Sequence, residues 1–252
     1  MPAMASLVRI FVNQDLKLAG RLELQAGQLH YLRNVMRLVA GDRVALFNGR
    51  NGEFLAEIIE IEKKALRVSL IEQTRQQIGD PDIWLLFAPV KKNRINMIVE
   101  KATELGVAKL FPVLTDYTNT ERVKIDSLKA NAIEAAEQCR RLTIPEIKAP
   151  QALSHLLNKW DPARRLLVMD ETAAATEDAL KMSDLRAYEN PLKIPSDAIL
   201  VGPEGGFSLS ELDLLSKLPF VIKINLGLRI LRSETAALVA LALWNELVSS
   251  RQ

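Results

Sequence analysis

The sequence predicts an α/β protein in which a mostly parallel sheet, with helices on both faces, follows a small β-rich domain. Two patterns carry this prediction. Residues 1–75 contain short alternating strand patterns separated by turn signals, whereas residues 76–252 repeat apolar strands and helices in turn. Repeated strand–helix–strand order is typical of a parallel sheet that is buried between helices. The expected domains are therefore 1–75 and 76–252.

The N-terminal domain is expected to be a small antiparallel β-barrel or sandwich with one short helix. The segment between residues 48 and 52, Asn-Gly-Arg-Asn-Gly, predicts a hairpin turn because Asn-Gly readily adopts positive φ. Apolar residues at helical spacing predict a helix over residues 28–38 that Gly41 stops. Polar residues 73–81 then mark the domain boundary. Strands are expected at residues 8–12, 21–24, 43–47, 53–61 and 65–71.

The C-terminal domain contains five apolar runs that suit strands buried on both faces. Helices are expected over residues 95–105, closed by Gly106, and from Asp126 to about residue 141. A capping box, Ser208 with Glu211, predicts a helix through residue 218, and Ser233 begins a last helix to about residue 248. The strands are expected at residues 83–88, 107–113, 165–169, 198–201 and 220–226.

The composition excludes several classes of protein. With one cysteine, Cys139, the chain forms no internal disulfide, and its two histidines leave a structural zinc ion with too few ligands. No apolar stretch is long enough to span a membrane, and a secretory signal is not expected. We therefore expect a cytoplasmic protein that binds no metal and no membrane. A net charge of +2 is too small to indicate a nucleic-acid partner by itself.

Three loops follow predicted strands at the edge where parallel α/β sheets bind ligands, namely residues 170–172, 202–207 and 227–232. The second loop begins Gly-Pro-Glu-Gly-Gly. Its glycines let the backbone approach a ligand without steric clash, and the helix that follows offers free N–H groups to an anion. It is not a Walker loop, because no Gly-Lys-Ser/Thr follows. Two interpretations stay open at this point, a ligand-binding loop and a plain tight turn.

The loop from Leu226 to Leu231 is apolar except for Arg229. An apolar loop opposite a glycine loop suits a flat adenine and a thioether chain better than a triphosphate. The alternative is that Leu228, Ile230 and Leu231 are simply core residues. The candidate cofactor contacts are Met169, Gly202, Pro203, Glu204, Gly205, Gly206, Leu226, Gly227, Leu228, Arg229, Ile230 and Leu231.

The two loop motifs, Val201-Gly-Pro-Glu-Gly-Gly206 and Leu226-Gly-Leu-Arg-Ile-Leu-Arg-Ser-Glu-Thr-Ala236, together resemble the SPOUT superfamily. More narrowly they resemble the RsmE family, which methylates N3 of one uridine in small-subunit ribosomal RNA. Residues 31–37, 101–107 and 134–141 match the same family in the same order. The similarity therefore extends over nearly the whole chain.

The resemblance implies a fold, a cofactor and partners. The fold would be a SPOUT-type sheet with a C-terminal trefoil knot, preceded by a PUA-like, RNA-binding β-barrel. The cofactor would be S-adenosylmethionine, held by the two loops and residues 169–171, and the substrate 16S ribosomal RNA or the small ribosomal subunit. A homodimer through the C-terminal domain is also implied, to which the nearly all-apolar helix after Ser233 would contribute.

Methylation of uracil N3 requires loss of its proton and stabilisation of the resulting anion, and a planar, permanently charged guanidinium suits this task. Arg232 is the first candidate, because it leaves the cofactor loop just before the last helix; the alternative is a salt bridge with Glu204 or Glu234. Arg141 is the second, and its alternative is a cation that merely stabilises a helix C-terminus. Glu204 is the third, either as a proton acceptor or as a residue that fixes its own loop.

A cluster of arginines is expected to follow an RNA phosphate backbone, and the alternative is a solvated helix face. Arg33 and Arg37, four residues apart, are expected to share a helical face. Lys92 opens a helix where a cation opposes the dipole, which suggests an RNA contact as well. The candidate RNA-binding residues are Arg33, Arg37, Arg43, Arg50, Lys92 and Arg122.

One position departs from the family pattern. Relatives often have an arginine shortly after the strand that ends near Val113, whereas Tyr117 stands there in this chain. Arg122 is the nearest arginine, so either it takes over through a longer loop or that contact is absent.

Three rival functions remain open. The first is an enzyme of the same superfamily that modifies another base of ribosomal or transfer RNA. The second is a non-catalytic RNA-binding assembly factor, against which the intact glycine loop and Arg232 argue. The third is an enzyme that binds a nucleotide phosphate, against which the lack of a lysine in the glycine loop argues.

Overall fold

The computed structural model of the protein describes residues 7–119, 122–170, 180–188 and 196–249. The chain divides into two compact units. The first consists of the chain up to Gly79 together with Ala136–Ile144, and the second of Asp80–Ala135 and the chain from Pro145 onwards. The first unit is thus built from two separate stretches of chain, and each unit has its own sheet.

A five-stranded sheet forms the first unit, and its strands are β1 (Arg9–Phe11), β2 (Arg21–Glu23), β3 (Arg43–Phe47), β4 (Glu53–Ile61) and β5 (Leu66–Arg75). They lie in the order β1-β3-β4-β5-β2. The hairpin predicted between β3 and β4 is confirmed, with Gly49 and Gly52 at φ 78° and 84°. The expected purely antiparallel pairing does not hold for β1, which runs parallel to β3. The reason is that β2 and a helix intervene, so the chain enters β3 in the direction of β1.

The helix of this unit is shorter than predicted. α1 (Ala26–His30) continues as one π-helical turn, Tyr31–Val35, and the helical segment ends there rather than at residue 38. Arg37 then takes φ 57°, a left-handed conformation that ends helices, so Gly41 is not what stops this one. Because Arg37 lies beyond the end of the helix, the expectation that Arg33 and Arg37 share a helical face was wrong.

Arg9 connects the two stretches of chain that form the first unit. Its side chain is 8% exposed and its Nε donates to Glu53 Oε2 at 2.6 Å. Its terminal nitrogens donate to the main-chain carbonyls of Ala136 (2.7 Å), Glu137 (2.9 Å) and Arg141 (2.9 Å). One buried guanidinium thus satisfies the carbonyls left open where a helix ends.

A seven-stranded sheet forms the second unit, and its strands are β6 (Trp84–Phe87), β7 (Lys109–Leu114), β8 (Glu146–Ile147), β9 (Gln151–Ala152), β10 (Arg165–Met169), β11 (Asp197–Val201) and β12 (Val221–Ile224). The order along the sheet is β12-β10-β11-β6-β7-β8, and β9 also pairs with β7. Every pair among these strands is parallel, which confirms the expected mostly parallel sheet. β8 and β9 were not predicted, because two residues are too few to show a strand pattern.

The remaining helices are α2 (Lys92–Glu104), α3 (Ile125–Cys139), α4 (Leu153–Leu157), α5 (Leu209–Ser216) and α6 (Ser233–Ser249). Gly106 takes φ 83° and its N–H donates to the carbonyl of Thr103 (3.1 Å), which confirms it as the residue that closes α2. The capping box of Ser208 and Glu211 at the start of α5 is also confirmed. α3 begins at Ile125, so Asp126, which the sequence suggested as the residue that caps this helix, lies within its first turn.

β12 lies between two parts of the chain that are close in sequence. On one side it pairs with β10, where Ile224 stands opposite Met169. On the other side Leu180 bridges it in parallel, because the Leu180 N–H donates to the carbonyl of Lys223 (3.2 Å) and the Leu180 carbonyl accepts from the N–H of Asn225 (2.9 Å). The strand is therefore flanked by residues from both ends of the segment that leaves β10.

α6 buries one of its faces within the second unit. Trp244 is fully buried, and its indole N–H donates to Asp197 Oδ2 at 2.8 Å. Arg165 binds the same carboxylate through Nε (2.7 Å) and Nη2 (2.8 Å), which ties α6 to β10 and β11. Leu243, by contrast, is 44% exposed. Within the described ranges, no helix combines the length and the apolar character that a membrane span requires.

Candidate active site

A pocket lies where β10, β11 and β12 end side by side. Met169 stands opposite Val201 on one neighbouring strand and Ile224 on the other, so the loops that leave the three strands converge. This is the edge at which parallel α/β sheets bind ligands. The walls are the strand ends, the glycine loop after β11, the apolar loop after β12 and the start of α6.

The pocket brings together the residues that the sequence proposed as cofactor contacts, with one exception. Glu204 does not line it. The expected contact at residue 171 lies outside the described residues. The lining residues that were predicted are Met169, Gly202, Pro203, Gly205, Gly206, Leu226, Gly227, Leu228, Arg229, Ile230 and Leu231.

The apolar loop presents side chains to solvent and not to the core. Leu228 is fully exposed and Ile230 is 81% exposed, so the core interpretation does not hold for either. Gly227 takes φ 120°, a conformation closed to other residues, and its N–H donates to Asn225 Oδ1 at 2.7 Å. The loop therefore keeps an apolar surface free beside the pocket, which is costly unless a ligand or partner covers it.

The glycine loop is both a tight turn and a pocket wall. The N–H of Gly206 donates to the carbonyl of Pro203 at 3.0 Å, and Gly206 takes φ 70°. A Cβ on Gly202 would come within 3.1 Å of the Phe207 ring. Ser233 Oγ donates to the Gly202 carbonyl at 2.7 Å, which joins the loop to the start of α6. The tight-turn interpretation therefore holds, and the loop's position in the pocket wall is compatible with the ligand-binding one.

Glu204 points to α2 rather than into the pocket. Arg94 Nη1 donates to Glu204 Oε1, and Arg94 Nε lies 3.7 Å from Glu234 Oε1 in the first turn of α6. Glu234 is largely buried and its Oε2 has no hydrogen-bond partner among the described residues. Arg94 therefore connects the glycine loop with α6, a role that the sequence did not reveal.

Arg232 is exposed and stands between two residues that line the pocket, Leu231 and Ser233. Within the described parts of the chain its side chain forms neither a hydrogen bond nor an ion pair. The salt bridges considered from the sequence are not formed, since Arg94 lies beside both Glu204 and Glu234. A guanidinium at the rim of the pocket is thus available to a ligand.

Arg141 belongs to the first unit, whereas Arg232 belongs to the second. It is 8% exposed, its Nε donates to Thr143 Oγ1 at 2.9 Å, and its carbonyl accepts from Arg9. Arg140, with φ 61°, ends α3 just before it. The position after the end of a helix agrees with the structural alternative considered from the sequence.

The candidate RNA-binding residues of the first unit are exposed, but they are not equally available. Arg50 binds Asp15 Oδ1 (3.1 Å) and Arg43 lies 4.0 Å from Glu57 Oε2, whereas Arg33 donates only to the Glu62 carbonyl (3.2 Å). Arg37 has no side-chain partner among the described residues. In the second unit Arg122 is exposed, and the structure describes only the backbone of Lys92.

Two further residues lie at the site: Asp170, which falls within the residues 169–171 that the family resemblance implied, and Tyr117, which the sequence did not propose as a site residue. Asp170 is buried, lines the pocket and lies 3.5 Å from Lys223 Nζ. Tyr117 packs against Gly205, where an added Cβ would come within 3.4 Å of the Tyr117 Cβ. The position of Asp170 directly after β10 was a usable signal, because it occupies a strand end. The position of Tyr117 depends on a contact across 88 residues of chain, which no local pattern carries.

Family models place both parts of the chain among RNA-modifying proteins. A model described as an RNA methyltransferase domain matches residues 79–245, and one described as an RNA methyltransferase PUA domain matches residues 24–71. Ribosomal RNA small subunit methyltransferase E of Rickettsia conorii is 35% identical over 235 residues, which cover 93% of each chain.

Solved structures share the fold over nearly the full length. A methyltransferase from Legionella pneumophila, determined in complex with S-adenosylmethionine, is 29% identical with a TM-score of 0.84 and covers 96% of this chain and 98% of its own. Ribosomal RNA small subunit methyltransferase E from Neisseria gonorrhoeae, bound to S-adenosylmethionine, has a TM-score of 0.85 at 24% identity, with the same coverage. The second likeness supports the fold alone.

Proposed function

Since this chain belongs to the ribosomal RNA small subunit methyltransferase E family, we propose that it transfers a methyl group from S-adenosylmethionine to N3 of one uridine in 16S ribosomal RNA. One observation carries the proposal. The ends of three parallel strands form a pocket with a glycine wall and an apolar wall, and the guanidinium of Arg232, which has no partner among the described residues, stands at its rim.

The residues of the pocket fit this cofactor. Apolar side chains at the strand ends and in the loop after β12 suit an adenine ring and the methylene groups of the methionine chain, and the main chain of both loops supplies polar contacts. The exposure of Leu228 and Ile230 leaves apolar surface for a ligand to cover. The relative from Legionella pneumophila, which was determined with this cofactor, supports the assignment.

Bound in this pocket, S-adenosylmethionine supplies an electrophilic methyl group on a sulfonium. The protein's own task is to hold the uracil so that N3 faces that group and to stabilise the charge that appears when N3 loses its proton. Arg232 performs the second part, because a guanidinium can bind the oxygens over which the anion spreads.

The other two candidates receive different roles. Glu204 positions the glycine loop, because Arg94 already binds its carboxylate. Arg141 is a weaker candidate than Arg232, because its side chain is buried and its Nε already donates to Thr143. Glu204 is therefore not assigned as the proton acceptor for N3.

We infer that the first unit binds the RNA by its phosphates. It carries the PUA-type match, and Arg33 and Arg37 are exposed without a carboxylate partner among the described residues. Cations in such positions follow a phosphate backbone and place the substrate without reading its sequence. The reaction then takes place in the cytoplasm, where small subunits are assembled.

We also infer that the second unit contains a trefoil knot. β12 lies between β10 and Leu180, although Met169 and Leu180 are joined by only ten residues of chain. This arrangement is what a strand that passes through an earlier loop produces. It supports the trefoil knot that the family resemblance implies. Such knots are rare exceptions to the unknotted topology of proteins.

A homodimer through the second unit is the state we propose in solution. Leu243 of α6 is 44% exposed, and an isologous contact would cover apolar surface of this kind. Light scattering of the purified protein should give the mass of two chains. A Leu243→Glu variant should shift the mass towards one chain, and an unchanged dimer would exclude Leu243 from the interface.

The proposed function is tested with methyl-labelled S-adenosylmethionine and small subunits from a strain that lacks this enzyme. The expected product is 3-methyluridine at one position, which stops primer extension because N3 lies on the pairing edge. Subunits that already carry the modification should accept no label, which is the control. Label on another base would show that the enzyme modifies that base instead of uracil N3. Cofactor binding without transfer to any RNA would favour a non-catalytic RNA-binding assembly factor.

A further inference from the structure

Tyr117 combines exposure with a fixed position beside the cofactor pocket. Half of its surface is exposed, and no other aromatic side chain that the structure describes is exposed to this degree. One side of the residue lies against Gly205, and Gly205 lines the pocket. The backbone of Gly205 therefore lies between the tyrosine and the pocket.

Hydrogen bonds hold the turn that carries Tyr117. The N–H of Thr118 donates to the carbonyl of Thr115 (3.0 Å), and the N–H of Thr115 donates to Thr118 Oγ1 (2.9 Å). The N–H of Asp116 donates to Glu211 Oε1 (3.0 Å). These bonds fix the backbone on both sides of Tyr117.

This hydrogen bonding is shared with the glycine loop. Glu211 and Ser208 form the capping box of α5, the helix that follows this loop, and Ser208 Oγ donates to Asp116 Oδ2 at 2.5 Å. The same few residues therefore fix the loop that lines the pocket and the turn that presents the tyrosine. A structural role alone does not require an aromatic ring to stay in solvent, where its apolar surface is unfavourable.

The chemistry of this position favours a base over a phosphate. Asp116 is exposed next to Tyr117, and its carboxylate repels a phosphate group. An aromatic face, in contrast, stacks on unpaired bases irrespective of their hydrogen bonds. An enzyme that modifies a base atom on the pairing edge must first take that base out of its stack, and so needs a surface that replaces the lost stacking.

We propose that Tyr117 is a positioning residue on which the target base of the RNA stacks as it enters the cofactor pocket. The inference rests on the proposed function and adds to it the surface that receives the base. The phenol oxygen has no part in it, since stacking needs the ring alone. Tyr117 acts on RNA binding and base placement, while Arg232 acts on the charge of the base.

The test compares three variants, Tyr117→Phe, Tyr117→Leu and Tyr117→Trp, in methyl transfer to unmodified small subunits. Tyr117→Leu should raise KM for the subunit about 5- to 150-fold, the range that loss of one stacked base corresponds to. Tyr117→Phe, the matched control, should stay within about twofold of wild type because it keeps the ring. Affinity for S-adenosylmethionine, measured by calorimetry, should be the same in all three.

A direct measurement does not depend on the leucine variant. The three natural tryptophans, Trp84, Trp160 and Trp244, are half-buried or buried, so the exposed indole of Tyr117→Trp should add fluorescence that RNA quenches by stacking. No RNA-dependent quenching beyond that of wild type would overturn the inference. A leucine variant with wild-type KM and kcat, or one that loses cofactor affinity in parallel with activity, would overturn it as well.

The two proposals fail in different ways. Wild-type protein that binds S-adenosylmethionine but methylates no RNA contradicts the proposed function and this inference together. Wild-type protein that methylates its uridine at full rate, with Tyr117→Leu unaffected, contradicts this inference alone.

Discussion

The Arg94 guanidinium and the Glu204 carboxylate form an ion pair that fixes the outer side of the glycine loop to α2. Arg94 also lies 3.7 Å from Glu234, in the first turn of the helix that follows the apolar loop. The two loops that wall the pocket are therefore connected through one side chain outside the pocket. Their relative position decides whether a cofactor fits between them.

Replacing Arg94 by alanine should weaken cofactor binding without unfolding the protein. The pair is partly exposed, so its loss should cost at most about 1 kcal/mol of the free energy of unfolding. If the binding free energy of S-adenosylmethionine is weakened by the same amount, Kd should rise about fivefold, as measured by calorimetry. Glu234, which is largely buried, would lose its nearest cation at the same time.

A surface ion pair of the same unit gives the control for this prediction. Lys217 and Asp213 are both more than half exposed and lie four residues apart, and neither lines the pocket. Lys217→Ala should therefore leave Kd unchanged. An Arg94→Ala variant that binds the cofactor as tightly as Lys217→Ala does would show that the loops keep their positions without Arg94.

The sequence predicted the parts of this site that depend on local pattern. Strand ends and glycine loops are visible in a sequence, and the rule that ligands bind at the carboxyl ends of parallel strands joined Gly202–Gly206 to Leu226–Leu231. Arg94 was missed because its partner Glu204 lies 110 residues away, and only the folded sheet brings them together. Tyr117 was noted only as a departure from a family pattern, since its contact with Gly205 is equally remote in sequence.

For the fold, too, the sequence predicted the features that depend on neighbouring residues and missed those that depend on distant ones. The hairpin of β3 and β4 and the capping box of α5 follow from adjacent residues and were confirmed. The parallel pairing of β1 with β3 is a choice between distant partners, which an alternating pattern does not encode. The early end of the helix at Val35 depends on a π-turn and on the left-handed conformation of Arg37, a residue type that rarely adopts it.

Arg232→Ala should lower kcat and leave the affinity for S-adenosylmethionine unchanged. Removing one group that stabilises charge in a transition state typically costs about 10²- to 10³-fold in kcat. The measurement is single-turnover methyl transfer to unmodified small subunits at saturating cofactor. Full turnover with normal cofactor binding would remove Arg232 from the mechanism.

Arg122→Ala decides the question that the family pattern leaves open. Arg122 is exposed and is the arginine nearest in sequence to Tyr117, where the family resemblance leads us to expect one. If it takes over that contact, its removal should lower methyl transfer while binding of the cofactor stays normal. If the contact is absent in this chain, the variant should match wild type in kcat and in KM.

Arg33 and Arg37 should account for part of the salt dependence of RNA binding. A phosphate contact contributes about 0.7 to 0.9 to the slope of log K against log salt, so replacing both by alanine should reduce the slope by about 1.4 to 1.8. The control is Arg67→Ala in the same unit, because Glu23 and Glu60 already bind the Arg67 guanidinium. Equal slopes for the double variant and for Arg67→Ala would place the RNA elsewhere.

Asp197 should be among the most sensitive positions for stability. Its carboxylate is fully buried and is held by Arg165 and by the indole of Trp244, so Asp197→Ala leaves both donors without their acceptor. Breaking a buried pair costs about 3 to 5 kcal/mol of the free energy of unfolding. Urea unfolding should show this loss, whereas Asp213→Ala, which breaks an exposed pair, should cost about 0 to 1 kcal/mol. Similar urea midpoints for Asp197→Ala and Asp213→Ala would mean that the buried carboxylate of Asp197 contributes no more to stability than an exposed one.

Gly227 should be required for the conformation of the apolar loop. At φ 120° a side chain is strained whatever space surrounds it, so Gly227→Ala should cost about 1 to 3 kcal/mol in the present loop conformation. Because the loop is exposed, it should relax into another conformation instead of unfolding the protein, and the strain should appear as lost cofactor affinity. A loss of this size raises Kd about 5- to 150-fold, measured by calorimetry.

Gly79→Ala is the matched control, because a Cβ there meets nothing within 4 Å and its φ lies outside the left-handed region. It should bind S-adenosylmethionine like wild type. If Gly227→Ala bound equally well, the bound loop would differ from the one described, and the cofactor would not depend on the turn that Asn225 and Gly227 form. If it lost affinity but kept its unfolding midpoint, the turn would belong to the binding site and not to the stability of the fold.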